Sequence, residues 1–74
     1  MNAGLAIKAI ADEKGMRAVD ICNATGISDS YISMLLSGKI ADPKLDRIYV
    51  ISRALDVSID YIVQVAKSLE NNAD

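Results

Sequence analysis

Three glycines divide the apolar pattern of this chain into short helical segments. Gly15, Gly26 and Gly38 each follow a segment whose apolar residues recur every three or four positions, the spacing that places them on one face of an α-helix. Glycine just beyond such a segment is typical of a helix C-terminus, because it adopts a positive φ without strain. The pattern therefore predicts a first helix near residues 3–14, a second at residues 18–25, and a third that ends at Gly38.

A fourth helix is expected to begin at a proline. Asp42 and Pro43 suit an N-cap and the first helical residue, where the missing N–H of proline removes no hydrogen bond. The helix is then expected to extend to about Leu55, with Asp56 in a left-handed turn. Its predicted apolar face comprises Leu45, Ile48, Ile51 and Leu55.

A fifth helix is expected to follow Ser58, another residue suited to an N-cap. Its apolar residues continue at helical spacing to Leu69, and residues 70–74 are expected to form a frayed tail. No segment keeps the two-residue period of a β-strand for long. The sequence thus predicts one all-α domain of five helices over residues 1–69.

The composition is typical of a small helical domain with an aliphatic core. Of the 74 residues, 51% are hydrophobic but only 4% are aromatic. The single cysteine, Cys22, excludes a disulfide within the chain. Because no segment resembles a secretory signal or reaches the length of a membrane span, we expect a cytoplasmic protein with no membrane partner.

The charge balance argues mildly against a nucleic-acid partner. Eight Lys and Arg residues stand against ten Asp and Glu residues, for a net charge of −2, whereas nucleic-acid-binding domains are often basic. Any phosphate binding must therefore come from a few well-placed cations and not from a domain-wide positive field.

The sequence offers little support for an enzyme. It contains no histidine, no glycine-rich phosphate loop and no cysteine paired with a base. Cys22 is interpreted as a small, buried hydrophobic residue, because no second thiol could share a metal ion with it. No catalytic residue, metal, cofactor or small-molecule ligand is therefore expected.

The segment from Ala18 to Gly38 is the most informative about function. It contains a short helix, a turn with Gly26, and a further helix for which Ser28 is the expected N-cap. Cys22 supplies a small residue where these two helices must approach closely. This is the arrangement of a helix-turn-helix, whose second helix projects polar side chains into the major groove of DNA.

The same arrangement is part of a longer ordered pattern. Over about residues 4–63 the chain resembles, without a gap, the phage repressor and Cro family, or XRE-type helix-turn-helix domain. The matching positions are Lys14-Gly15-Met16, Ile21-Cys22, Gly26-Ile27-Ser28, Ser30, Ile32-Ser33, Gly38-Lys39, Pro43, Leu45, Ile48, Ile51, Ala54-Leu55, Val57-Ser58, Asp60 and Ile62. The resemblance implies a lambda-repressor-like fold of five helices with helix 3 in the major groove of double-stranded DNA.

The resemblance also implies which side chains contact DNA. The residues expected at base edges are Asp29, Ser30, Ser33 and Met34. The residues expected at phosphates are Arg17, Ser28, Lys39 and Lys44. Tyr31 has two open interpretations, namely packing at the edge of helix 3 or contact with the DNA backbone.

Several departures from the family pattern bear on affinity. Ala18 stands where the family often has glutamine, and Asp29 where glutamine, arginine or lysine is frequent. Leu36 replaces a frequent glutamate, and the following loop has Ala41 and Asp42 where basic residues often occur. Since fewer cations release fewer counterions, we expect modest affinity and weak non-specific binding, and a loss of DNA binding stays open.

Helix 5 has more apolar surface than one small domain can bury. Tyr61, Val65 and Leu69 recur every four residues beside the stripe that contains Ile62. Two apolar faces on a terminal helix are typical of an oligomer interface, although the outer stripe could instead cover the domain's own core. We expect a symmetric homodimer. Its predicted interface comprises Val50, Tyr61, Ile62, Val65 and Leu69.

These features favour a sequence-specific transcription regulator that binds DNA as a dimer. The main hypothesis is a Cro-like repressor on a palindromic operator. One alternative is a controller protein of a restriction–modification system, which activates or regulates its own synthesis and could contact RNA polymerase. Another is an antirepressor-like interaction protein that keeps the fold, binds another regulator, and does not bind DNA.

Overall fold

Five α-helices form the domain in a computed structural model that describes residues 1–71. Helices α1 to α5 span Ala3–Glu13, Ala18–Thr25, Asp29–Leu36, Leu45–Leu55 and Ile59–Asn71. The predicted all-α class and the five helices are confirmed, and no strand occurs among the described residues. None of these helices is long and apolar enough to cross a membrane.

Helices α2 and α4 end, and helices α3 and α5 begin, at the turns and caps that the sequence predicts. Gly26 ends α2 in a left-handed conformation with φ 75°, and its N–H donates to the Cys22 carbonyl at 2.8 Å. Asp56 ends α4 in the same conformation with φ 58°. The hydroxyls of Ser28 and Ser58 each accept a hydrogen bond from a backbone N–H three residues further on, so they cap α3 and α5. The turn at Gly26 sets α3 against α2, as a helix-turn-helix requires.

The core is aliphatic and draws on all five helices. Its buried hydrophobic residues are Ala3, Ala6, Ile7, Ile10, Ala11, Ile21, Ile32, Leu35, Ile48, Ile51, Leu55, Ile62 and Ala66. Full burial of one large aliphatic side chain contributes about 1.5–3 kcal/mol. Ile32 and Leu35 therefore anchor α3 through one face and leave its opposite face in solvent.

The start of α1 holds the loop between α3 and α4. A Cβ at Gly4 would lie 2.5 Å from a backbone carbonyl oxygen of that loop, so only glycine permits this approach. The Ala3 N–H donates to the Ala41 carbonyl at 2.8 Å, and Asn2 Nδ2 donates to the Gly38 carbonyl at 3.0 Å. Three consecutive residues therefore fix the backbone of this loop.

Helix α4 begins later than predicted. Lys44, and not Asp42, is the N-cap, and Pro43 is buried before the helix. The predicted place of Leu45 on the core face is wrong, because its side chain is 74% exposed. The first turn of α4 extends beyond the edge of the core, which begins on this helix at Ile48.

The C-terminal boundary also differs from the prediction. Helix α5 continues through Asn71, so Glu70 and Asn71 are helical and not part of a frayed tail. The carboxylate of Glu70 lies 3.5 Å from the N-terminal amine of Met1, and no helix-breaking residue follows Leu69. The rest of the predicted tail, residues 72–74, lies outside the described residues.

Candidate DNA interface

The solvent-facing side of α3 is a stripe of small polar residues with one methionine. Ser30, Ser33, Met34 and Ser37 are exposed and follow the spacing of one helix face. Three of the four predicted base-contact residues, Ser30, Ser33 and Met34, therefore lie side by side. Hydroxyls can donate to or accept from base edges, and a thioether can pack on a thymine methyl group.

Asp29 is exposed but has a neighbour in α2. Its carboxylate raises the pKa of the Cys22 thiol by hydrogen bonding, and partial removal from water raises it further. The acid at the start of α3 therefore affects a residue of α2. Its contact with a base stays a prediction.

The N-terminus of α3 has an exposed capping serine that could contact an anion. Ser28 is exposed, and its Oγ accepts the Tyr31 N–H at 3.3 Å. The hydroxyl proton of Ser28 can still be donated to a phosphate oxygen, and the partial positive charge of the helix end adds to the attraction. The cap is therefore a confirmed prediction, whereas the phosphate contact of Ser28 stays a prediction.

Arg17, at the start of α2, is exposed but already has an acidic neighbour. The Asp20 carboxylate accepts the Arg17 backbone N–H at 2.8 Å and lies 3.5 Å from Arg17 Nε. The backbone hydrogen bond is the largest effect and lowers the pKa of Asp20. Desolvation opposes it, and the charge and side-chain hydrogen bond of Arg17 lower the pKa further. Arg17 would have to share its guanidinium between Asp20 and a phosphate.

The two predicted phosphate-contact lysines flank the loop between α3 and α4. Lys39 and Lys44 are both exposed. The backbone N–H of Lys39 donates to the Met34 carbonyl at 3.0 Å, which ties the start of the loop to the last turn of α3. The backbone of Lys39 is therefore fixed relative to α3.

One cation next to α3 was missed by the sequence reasoning. The guanidinium carbon of Arg47, in α4, lies 4.4 Å from the centre of the Tyr31 ring in α3. Tyr31 is half-buried. In the domain without DNA its side chain therefore packs at the edge of α3, which is the first of its two interpretations. No local sequence signal joins these two residues, because they lie in different helices on either side of a loop.

Most residues of the predicted dimer interface are accessible to solvent, but one of them is buried. Tyr61 and Leu69 are exposed, Val65 is half-buried, and Val50 is exposed on α4. Ile62 is completely buried in the chain's own core, so its predicted place in the interface is wrong. The angular step of 100° per residue turns Ile62 into the core while Tyr61 stays in solvent.

Two further apolar residues adjoin this surface. Met1 and Leu5 are exposed and line the same surface depression as Leu69. Neither residue belongs to the predicted interface, which draws on α4 and α5 only. The apolar area beside α5 is therefore larger than its own stripe.

The fold and the exposed face of α3 define a helix-turn-helix DNA-binding domain. A family model described as helix-turn-helix matches residues 7–62, well over half of the chain. The chain belongs to this family, of the Cro and C1 type, whose members are DNA-binding transcription regulators. A search of curated proteins and a search of solved structures found no significant match.

Proposed function

We propose that this protein is a sequence-specific repressor of the Cro type, which acts in the cytoplasm by binding a palindromic operator as a homodimer. The observation that carries the proposal is the exposed polar face of α3, anchored by Ile32 and Leu35 and capped by Ser28. A rigid helix with small polar side chains can enter the major groove without a steric barrier. Occupation of an operator is sufficient for repression and requires no further surface.

The cations around α3 supply the phosphate contacts in this proposal. Arg17 is at the start of α2, before α3 in the chain, and Lys39 and Lys44 are in the loop that follows α3. The logarithm of the affinity falls linearly with the logarithm of the salt concentration, and each phosphate that a cation neutralises makes this fall steeper by about 0.9. Because the negative charges of Asp20 and Asp29 weaken the attraction of phosphates to this region, we expect weak non-specific binding. Contacts with base edges should then supply a large share of the binding free energy.

The dimer is proposed to form through the outer stripe of α5. Tyr61 and Leu69 are separated by two helical turns, about 12 Å, and both side chains are about two-fifths exposed. Met1 and Leu5 extend the apolar area at the Leu69 end. Pairing two copies through this face would bury surface that a lone domain leaves in water, and would set two recognition helices about 34 Å apart.

The proposal is tested by selecting binding sites from a random DNA library with the purified full chain, at low and moderate salt. The expected result is one enriched sequence with two-fold symmetry, bound with an affinity that falls steeply with salt. An enriched site without symmetry would contradict the dimeric operator but leave DNA binding in place. No enrichment, even at low salt, would contradict the DNA-binding function.

A second candidate is a non-DNA-binding interaction protein. It is favoured by the outer surface of α4, where Leu45 is 74% exposed and Tyr49 is 51% exposed. An apolar surface away from α3 fits contact with another regulator or with RNA polymerase. The selection experiment separates the candidates, because an interaction protein enriches no DNA, whereas an activating controller protein enriches DNA and raises transcription from its site.

A further inference from the structure

Arg47 and Tyr31 form a contact between helices α4 and α3. Tyr31 lies in the first turn of α3, where its backbone N–H is capped by Ser28. The guanidinium of Arg47 lies over the Tyr31 ring at 4.4 Å, and both side chains are half-buried. A cation from α4 is therefore held beside the N-terminal turn of the recognition helix.

The geometry leaves the hydrogen-bond donors of Arg47 available. Within residues 1–71, no carboxylate forms an ion pair with Arg47, and the ion pairs present involve Met1, Lys8 and Arg17. Stacking on an aromatic ring occupies the flat face of a guanidinium and leaves its edge of N–H groups free. That edge has the planar fork that binds two oxygens of one phosphate.

A second arginine–tyrosine pair on α4 has a different geometry. Arg53 lies 5.7 Å from the Tyr49 ring centre, and its Nη1 donates to the Tyr49 hydroxyl at 3.4 Å. Both residues belong to α4 and are exposed. This pair does not reach α3 and gives a matched control for the first.

We infer that Arg47 binds a DNA phosphate at the N-terminus of α3, and that Tyr31 is the positioning residue that holds its guanidinium there. This inference rests on the proposed DNA-binding function. The phosphate is shared between Arg47, the Ser28 hydroxyl and the backbone N–H groups of the first turn of α3. A stacked guanidinium loses little side-chain entropy on binding, so a chain with few cations gains more from it than from a mobile lysine.

The first test replaces Arg47 and Arg53 separately by glutamine. Each variant loses one positive charge from the same helix, and the probe is a labelled duplex that carries the site enriched by the selection. For Arg47→Gln we expect about tenfold weaker binding and a salt slope smaller by about 0.9, which is the loss of one phosphate contact. For Arg53→Gln we expect an unchanged salt slope. Equal slopes for both variants would overturn the inference.

The second test separates positioning by Tyr31 from direct contact. Tyr31→Phe keeps the ring and should bind like the unaltered protein, whereas Tyr31→Leu keeps apolar bulk without a ring and should bind about threefold more weakly. Arg47→Lys should lose part of the affinity but keep the salt slope, because the charge remains. Thermal unfolding of each variant, followed by circular dichroism, identifies any variant that fails to fold, and only folded variants are compared.

Each outcome decides the inference. If Tyr31→Phe binds as weakly as Tyr31→Leu, the hydroxyl itself contacts DNA and the positioning role is overturned. If the unaltered protein binds with a steep salt slope that Arg47→Gln does not change, the inference fails while the proposed function stands. If the unaltered protein does not bind DNA at all, both are overturned.

Discussion

Helices α3 and α5 use the same core in the same way but expose different surfaces. Each buries one aliphatic stripe, with Ile32 and Leu35 on α3 and Ile62 and Ala66 on α5. The exposed face of α3 consists mainly of serines, and the guanidinium of Arg47 lies over the ring of Tyr31 in its first turn. The exposed stripe of α5 is apolar and adjoins further apolar residues at the N-terminus.

This difference shows that amphipathic periodicity determines the fold, whereas the chemistry of the outer face determines the partner. Burial of one stripe is enough to place either helix, so the outward residues are free to vary without loss of the core. Hydroxyls beside fixed cations suit the polar groove and phosphates of DNA. Exposed aliphatic and aromatic residues suit a second copy of the chain.

The largest expected effect is the difference in stability between substitutions on the buried face and on the exposed face of α5. Ile62→Ala removes a completely buried side chain and should lower the free energy of unfolding by about 3 kcal/mol, because it leaves a cavity. Leu69→Ala, at a partly exposed position, should cost less than about 1 kcal/mol in dilute protein. Urea unfolding followed by far-ultraviolet circular dichroism measures both. Similar losses for the two variants would contradict the assignment of Ile62 to the core and Leu69 to the surface.

The next effect concerns the outer stripe of α5. Leu69→Asp should weaken the proposed dimer by at least about thirtyfold, because a charge would have to enter an apolar interface. Val65 is less suitable for this test because it also packs on the core. Sedimentation equilibrium measures the mass of the assembly. Lys67→Gln, on the same helix, changes the net charge equally and should leave the dimer intact.

If Leu69→Asp is still a dimer, the interface lies elsewhere on the surface. If the unaltered chain is a monomer, the proposed dimer does not exist. Either result would contradict the assignment of the apolar stripe of α5 to a second copy of the chain, and the stripe would then need another partner. The exposed α4 residues Leu45 and Tyr49 would be the next surface to alter.

The fold could be predicted in advance because its signals are local. A left-handed residue after a helix, such as Gly26, and a capping hydroxyl, such as Ser58, act within four residues of the chain. Each signal is therefore visible in the sequence. The start of α4 was misjudged for the opposite reason. The course of Pro43 and Lys44 depends on the contact between this loop and α1, which Gly4 permits over a long sequence distance.

The candidate site could be predicted only in part, because some of its contacts join residues that are far apart in the sequence. Ser30, Ser33 and Met34 share one face by helical spacing, so their juxtaposition follows from the sequence. The contact of Arg47 with Tyr31 and the approach of Asp29 to Cys22 depend on how separate helices pack. Helix periodicity indicates which residues face outward but not which neighbour they meet.

A smaller effect is expected on the outer face of α3. Ser33→Asp places an acid where DNA is proposed to bind and should weaken binding to the selected duplex by about tenfold or more. Lys67→Gln changes the net charge equally at an exposed position of α5 outside the apolar stripe and should change binding little. Fluorescence anisotropy at fixed salt measures both affinities, and sedimentation verifies that each variant keeps the same mass. Equal weakening by the two variants would mean that net charge alone governs binding.

The smallest effect concerns Asp20, where stability and DNA binding are expected to change in opposite directions. Its pKa is lowered, chiefly by the hydrogen bond from the Arg17 backbone N–H and then by the charge of Arg17. A carboxyl group with a lowered pKa stabilises the folded state above its ordinary pKa, and that contribution is lost as the pH falls through the lowered value. Asp20→Asn should therefore lower the unfolding midpoint slightly at neutral pH, with a difference that shrinks in acid.

The same substitution should strengthen DNA binding slightly, because it frees the Arg17 guanidinium and removes an acid from the start of α2. Unfolding midpoints at neutral and acidic pH, together with anisotropy titrations, measure the two effects. The informative control is the double variant Arg17→Gln with Asp20→Asn. If Asp20 acts by engaging Arg17, the double variant should not bind better than Arg17→Gln alone, whereas a gain of equal size in both backgrounds would show that Asp20 acts on the phosphates directly.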